Sequence, residues 1–441
     1  MKVKEMRNKK KNQIQEMIRR GYFFNTVVIL CLGVLIGFFA LCLVHLIPVE
    51  RMYDNAQVAQ NMISEENTTY SVYGMKSTEL DNYTDSIMVS TAICPKESSI
   101  LEKVVYNYHS SYFKGYSEQE NLRRYLVGEE GYDYSFYSHY WNGYLLFLKP
   151  LLFLFEYNDI LMFNFMAQML LVIWVIVGMV KKKKDFLILP FIVTMLSMGV
   201  PTATSLSIQL SDVLYVTLLG TGMIVWNYQK LDNRSIYFLF LTLGMMTSYF
   251  DFLTYPLVSL GIPLIVYISH KNLLKPMENI FGAIINSVGW AIGYVGMWMS
   301  KGIIGSLLFP DSQALETGIG HFFMRSSGEV GAEKVNFLDV VMKNVFTYMN
   351  WPVLVVVIVT TLVLGTGIII KGKMGRKMIM RIMPYLVVLI YPFAWIFIMK
   401  NHSYQHAYMV YRILGITVFA GLSSLACLTQ KIENEHQLLE C

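Results

Sequence analysis

The sequence predicts an all-α polytopic integral membrane protein of about ten transmembrane helices, and three observations carry that prediction. Of 441 residues, 54% are hydrophobic and only 15% charged, against about 25% charged in ordinary soluble domains. Mean hydropathy is +0.43. Apolar stretches near the ~20 residues needed to cross a bilayer recur along the chain, several without any charge. Intrinsic disorder and a coiled coil are excluded, and a water-soluble enzyme is disfavoured.

The first element is basic, Lys2 to Arg20, followed by an apolar run from Tyr22 to Ile47. That run is too long for a signal-peptide core and has no small-residue cleavage site after it, so it reads as a retained helix. Further spans are expected at 160–180, 186–201, 207–227, 235–251, 254–269, 280–300, 349–370, 382–399 and 407–429. The third, fifth and sixth of the ten are short. Tyr144 to Phe155 is apolar over only about a dozen residues, too few to cross; with Lys149-Pro150 interrupting it, an interfacial helix is expected there. The chain reads as one integral domain, 1–441, with a basic segment at 1–21 and long outer loops at 48–144 and 301–350. The first loop carries a capping-box pattern, Ser117-Glu118-Gln119-Glu120.

Charge sets the expected sidedness. With the amino terminus inside, the inner segments hold 22 basic and 8 acidic residues, and the remainder 14 and 23. Every short inner loop has at least two basic residues, which places both termini in the cytoplasm of a multi-pass plasma-membrane protein. The net charge of +5 then reflects orientation, and no nucleic-acid partner is implied. Of the five cysteines only Cys94 lies in a polar segment, so no disulfide framework can be assembled.

Ionisable residues near span ends gather on the outer side, among them Asp54, Asp212, Asp251 and Arg412. Such residues are costly near hydrocarbon and mark function or paired structural sites. Three constellations stand out. In Leu80-Asp81-Asn82-Tyr83-Thr84-Asp85, the two carboxylates share one face if helical; either can serve as a general base, and the simpler alternative is an Asx turn at Asp81. In Ser248-Tyr-Phe-Asp251-Phe-Leu-Thr254, the carboxylate either binds sugar hydroxyls or caps backbone N–H groups. In Lys400-Asn-His402-Ser-Tyr404-Gln-His406-Ala-Tyr408-Met-Val-Tyr411-Arg412, the choice is between an interfacial aromatic belt with a snorkelling Arg and a phosphate clamp. Arg412 lies about a turn inside the last span, which favours the clamp. His321 and Arg325 repeat the basic i, i+4 pairing in the second loop, although an exposed loop helix accounts for them as well.

Phosphate-loop, dinucleotide, zinc-protease and hydrolase-elbow motifs are absent from the sequence, so no cofactor or metal is expected. Gly220-Thr-Gly222 and Gly365-Thr-Gly367 read as close helix packing.

With its long loop after span one bearing Asp54 and Asp81 to Asp85, its Phe250-Asp251-Phe252 turn and its His402 to Arg412 segment, the chain resembles the GT-C superfamily of membrane glycosyltransferases. The resemblance covers the whole architecture; the adjacent Asp-Glu dyad of some relatives is missing here. It implies an all-α fold and a hexosyl- or pentosyltransferase taking a lipid-linked sugar donor, a polyprenyl-phosphate sugar. The acceptor would be a cell-surface glycan, lipid or protein, with membrane lipids as the surrounding partners. On that reading Asp85 is the first choice of base, then Asp81, then Asp54. Arg412, His402, His406 and Arg325 hold the donor phosphate, and Asp251, Tyr411 and Tyr404 contact sugar or acceptor. A repeat-unit polysaccharide polymerase and a lipid-linked polysaccharide flippase are the alternatives.

Overall fold

The computed structural model describes residues 21–63, 75–112, 115–370 and 376–430. The basic amino-terminal segment, both termini, Lys371 and Lys373 lie outside the described residues. The order is α1 (Tyr22–Val44), α2 (Glu50–Ala56), α3 (Asn82–Ala92), α4 (Ile100–Tyr106), β1 (Tyr108–Ser111), α5 (Glu118–Leu126), β2 (Asp133–Phe136), α6 (Leu145–Leu154), α7 (Tyr157–Lys181) and α8 (Ile188–Ser197). It continues with α9 (Ile208–Asn227), α10 (Asn233–Phe250), α11 (Val258–Ser269), α12 (Pro276–Leu308), α13 (Ala314–Ser326), α14 (Phe337–Tyr348) and α15 (Trp351–Ile370). The chain then finishes with α16 (Arg376–Leu389), α17 (Tyr391–Ile398), α18 (Lys400–Gln405) and α19 (Leu414–Leu428). Strands β1 and β2 pair antiparallel, Tyr108 opposite Phe136.

Seven helices among the described residues are long and apolar enough to cross a membrane: α1, α7, Ile208–Lys230, α12, α15, Lys377–Ile398 and Ala407–Leu428. All ten expected stretches are helical, but the three short ones fall outside this set. Twelve residues, as in α11, rise only about 18 Å, against a hydrocarbon core of about 30 Å. Yet every residue of α11 is buried, so this helix is walled by other helices. At the other extreme, only 6% of the apolar window of α15 is buried, against 83% for Ala407–Leu428. Leu43 and Ile36 of α1 and Ile370 of α15 are 67%, 68% and 84% exposed, apolar surface that fits lipid and not water.

Close contacts set the packing. A Cβ at Gly244 of α10 would stand 2.0 Å from the Trp290 carbonyl oxygen of α12, and one at Gly293 2.0 Å from that of Leu241. Two backbones therefore touch, which only glycine permits. Gly220 and Gly222 also sit against side chains, Leu243 and Trp174, as their spacing leads one to expect. Of Gly365 and Gly367 only the second does, its Cβ position 3.3 Å from Thr429, while nothing lies within 4 Å of the first.

The long loops fold into a cap over one end of the bundle. Ser117 caps α5 by accepting from the Glu120 N–H at 3.3 Å, while the Glu120 carboxylate pairs with Arg123 and Arg124, both at 2.6 Å. Helix α6 continues through Lys149-Pro150, and Lys149 turns inward and donates to the Ala92 carbonyl at 2.8 Å. The aromatic stretch before it packs inside the cap: Trp141 is 1% exposed and donates to the Met297 carbonyl at 2.7 Å. Lys301 likewise donates to the Val104 carbonyl. Loop one and α12 are thus locked together.

Candidate functional site

Asp81 is the N-cap of α3. Its carboxylate accepts from the Thr84 N–H at 3.1 Å and the Thr84 hydroxyl at 2.8 Å, the short-range turn expected of an Asp in this position. Its second oxygen also accepts from the Tyr408 hydroxyl at 3.2 Å, joining the first loop to the last span. One turn on, Asp85 accepts the Gln209 N–H at 2.9 Å. The carboxylate therefore sits on the amino terminus of α9, where free N–H groups and the helix dipole favour an anion. That terminus is held in place from α7: Asn164 and Gln168 both donate to the Ser211 hydroxyl, at 2.7 and 3.0 Å. Gln168 also donates to the carbonyl of Thr204, which ends a π-helical turn, Val200–Thr204.

Asp85 is 2% exposed and Asp81 0%. Burial pushes Asp85 up to about 7, with the Asp81 charge adding and the Gln209 N–H opposing. Burial also raises Asp81, against its bonds from Thr84 and Tyr408 and the Arg412 charge. Asp251, in the turn after α10, accepts from the Thr254 N–H at 3.0 Å and from its hydroxyl. It thus ties its own turn and does not cap α11. Burial lifts it to about 6.

Arg412 is 0% exposed, which rules out snorkelling to the interface. Its Nε donates to the Met198 carbonyl at 3.1 Å, and Nη1 donates to the Tyr408 carbonyl at 3.0 Å. The Tyr411 ring lies 4.7 Å from its guanidinium carbon. No carboxylate pairs with it among the described residues, and its buried Nη2 has no partner.

The two basic segments meet. Arg325 Nη1 donates to His402 Nδ1 at 2.6 Å, and His402 Nε2 lies 2.6 Å from the Leu253 carbonyl. A guanidinium cannot accept and a carbonyl cannot donate, so His402 is the neutral Nε2–H tautomer. Burial, then the neighbouring His406 and Arg325, hold it well below the usual imidazole range, and burial takes His406 to about 4. The positive charge expected of these histidines is therefore missing at neutral pH; Arg325 and Arg412 carry it. Leu253, which receives His402, stands at φ 68, so the Asp251 turn and α18 are held in register. His321, on the turn preceding Arg325, stacks on His139 at 4.4 Å.

Other expected residues go elsewhere. Asp54 is exposed on α2, with no contact to this group. Tyr404 lies under the Lys343 ammonium at 3.9 Å. Tyr411 is wholly buried and donates to the Ser77 carbonyl at 2.6 Å. Asp212, one turn into α9, emerges instead: the Asp251 and Asp85 charges act on it, and its carboxylate has no hydrogen bond or ion pair among the described residues. It lies three residues past Gln209, the Asp85 docking point, on the same helical face, and a lone carboxylate within an apolar span is its signal in the sequence. Among the described residues no group of three or more His, Cys, Asp or Glu side chains is placed to hold a metal.

No family model, curated protein or solved structure matches the chain. The fold is that of a helical membrane-embedded protein, with Asp81 linked to Tyr408 and within reach of the Arg412 charge, and Arg325 held on His402.

Proposed function

We propose that the protein is a membrane glycosyltransferase that moves a sugar from a polyprenyl-phosphate donor to a hydroxyl of a surface glycan, lipid or protein. On this reading the cap lies on the outer face and the bundle crosses the membrane ten times. The observation that carries the proposal is the buried, unpaired Arg412 guanidinium beside coupled carboxylates. An uncompensated cation in this position is costly unless an anion arrives, and a carboxyl near 7 is poised to accept a proton at neutral pH.

Arg325, half-buried with its Nε unpartnered, makes the direct contact with the donor phosphate, and Arg412 supplies the field beneath it. His402 positions Arg325. The acceptor hydroxyl attacks the anomeric carbon as the bond to the phosphate oxygen breaks. The proton goes to Asp85, the electron pair to the lipid phosphate, and the configuration inverts. Asp251 and Asp212 are left to orient sugar hydroxyls.

The test is purified protein with radiolabelled polyprenyl-phosphate sugars and a mixed acceptor pool. Loss of label from the lipid supports the reading; label that stays on lipid across all donors overturns it. The Arg325–His402 link, which joins the second loop to the last, also suits a repeat-unit polymerase. That reading expects lengthened lipid-linked oligosaccharide in the same assay.

A further inference from the structure

Away from the carboxylates, a cavity of about 300 Å³ opens where the end of α1 meets the first loop. His45, which closes α1, lines it with Lys96, Lys103 and Lys149. Lys149 is 2% exposed, and of its three donors one is used, on the Ala92 carbonyl. The Lys96 ammonium rests on the Tyr108 ring at 3.8 Å. No carboxylate lies within ion-pair distance of these three lysines among the described residues. The buried Nε2 of His45 lacks a partner too. Burial, then Lys149, Lys103 and Lys301, push that imidazole down to about 3, so His45 faces the cavity neutral.

Three ammonium groups gathered around one hollow repel each other and leave donors unused. An anion rich in acceptor oxygens resolves both problems. The lining also includes two exposed carboxylates, Glu50 and Glu97, which lower the net charge of the wall to +1. A single negative charge matches that better than a double one. The other wall, Leu46 through Val49, continues the lipid-exposed surface of α1, where Leu43 and Leu46 are 67% and 62% exposed.

We infer that this cavity is a phosphate site, built for a phosphodiester and walled so that an attached acyl chain can lie along α1. A membrane lipid of this leaflet is the source that fits both walls, and a soluble phosphate is the other source of the same chemistry. The site does not depend on the transferase reading.

The full chain is placed in nanodiscs of phosphatidylcholine with or without phosphatidylglycerol, and lipid retained after release is counted by native mass spectrometry. Thermal unfolding in detergent is followed in parallel with inorganic phosphate. Wild type is expected to retain phosphatidylglycerol selectively. Lys103→Gln, at a half-buried position that tolerates change, retains it about tenfold less, the loss expected for one charge-assisted hydrogen bond. Glu97→Gln retains it more strongly. Stabilisation by inorganic phosphate that Lys103→Gln abolishes, without lipid retention, assigns the site to a soluble phosphate. Equal retention of both lipids with no response to phosphate overturns the inference. So does unchanged binding in folded Lys103→Gln and Lys149→Met proteins.

Discussion

Asp85→Asn separates what this side chain does for the fold from what it does for the reaction. The amide oxygen still accepts from Gln209, so the α9 docking persists, but the charge is gone. Moving from the ordinary value of 3.8 to about 7, at 1.36 kcal/mol per unit, makes the buried charged form cost roughly 4 kcal/mol. The new NH₂ needs an acceptor and returns about 1–3 kcal/mol of that. A carboxyl held above its unfolded value binds its proton more tightly when folded. Its contribution to stability is therefore complete below 3.8 and is lost as pH climbs through about 7. The Asn variant should accordingly be the more stable protein by about 1–3 kcal/mol near pH 8 and gain nothing near pH 4. Transfer should fall by about 10²–10⁴. In wild type, log kcat/KM should rise with unit slope up to about pH 7 and then level off. Sugar transfer and denaturant unfolding are measured on the same preparations across pH. Transfer within threefold of wild type refutes the base assignment (threefold being only about 0.6 kcal/mol), and loss of stability above pH 7 refutes the buried-charge argument.

The other expectations concern neighbouring parts. Arg412→Met should keep the protein folded, since no ion pair is broken, yet lower transfer by about 10²–10³; undiminished transfer removes Arg412 from the site. Asp81→Ala deletes the α3 cap and its link to Tyr408, and should cost about 0.5–2 kcal/mol in unfolding free energy. Gly244→Val drives a side chain into the Trp290 carbonyl and should cost about 1–3 kcal/mol, read as a lowered Tm; an unchanged Tm denies the backbone contact. His402→Phe keeps the ring but frees Arg325 and leaves the Leu253 carbonyl unpaired, so KM for the donor should rise about tenfold and unfolding free energy should fall by about 1–3 kcal/mol.

Much of the architecture could be read from apolar runs, because a helix facing lipid on most sides has to be apolar all round. Helices α1, α7 and α15 are of that kind, and their limits fall within a few residues of expectation. The site was legible only where partners are close in sequence, as at Asp81 with Thr84; Asp251, expected to cap the next helix or bind sugar, instead ties its own turn through Thr254. Asp85 meets its partner Gln209 across 124 residues, and His402 meets Leu253 across 149. Neither pairing has a local pattern. The histidines misled because their ring spacing speaks of charge, while burial decides it. The Gly244–Gly293 contact was missed for another reason: Gly244 stands alone in α10, while Gly289 and Gly293 stand four apart in α12, the spacing of close helix approach. Gly365 shows the converse, a glycine in a suggestive spacing with nothing to approach.

The wholly enclosed helix α11 has a consequence for synthesis. Gly261 in its middle lies so near Ile416 that a Cβ there would be 2.6 Å from it. The side wall of this twelve-residue segment is thus supplied by a helix made about 150 residues later. At the ribosome's pace of roughly 5–20 residues per second, that wall is missing for some 8–30 seconds. During that interval a segment too short to reach from one headgroup layer to the other must be kept by the translocon or by α9 and α10. Chains stopped before Ala407 should consequently be destroyed by quality-control proteases, even though every earlier apolar stretch has already been made.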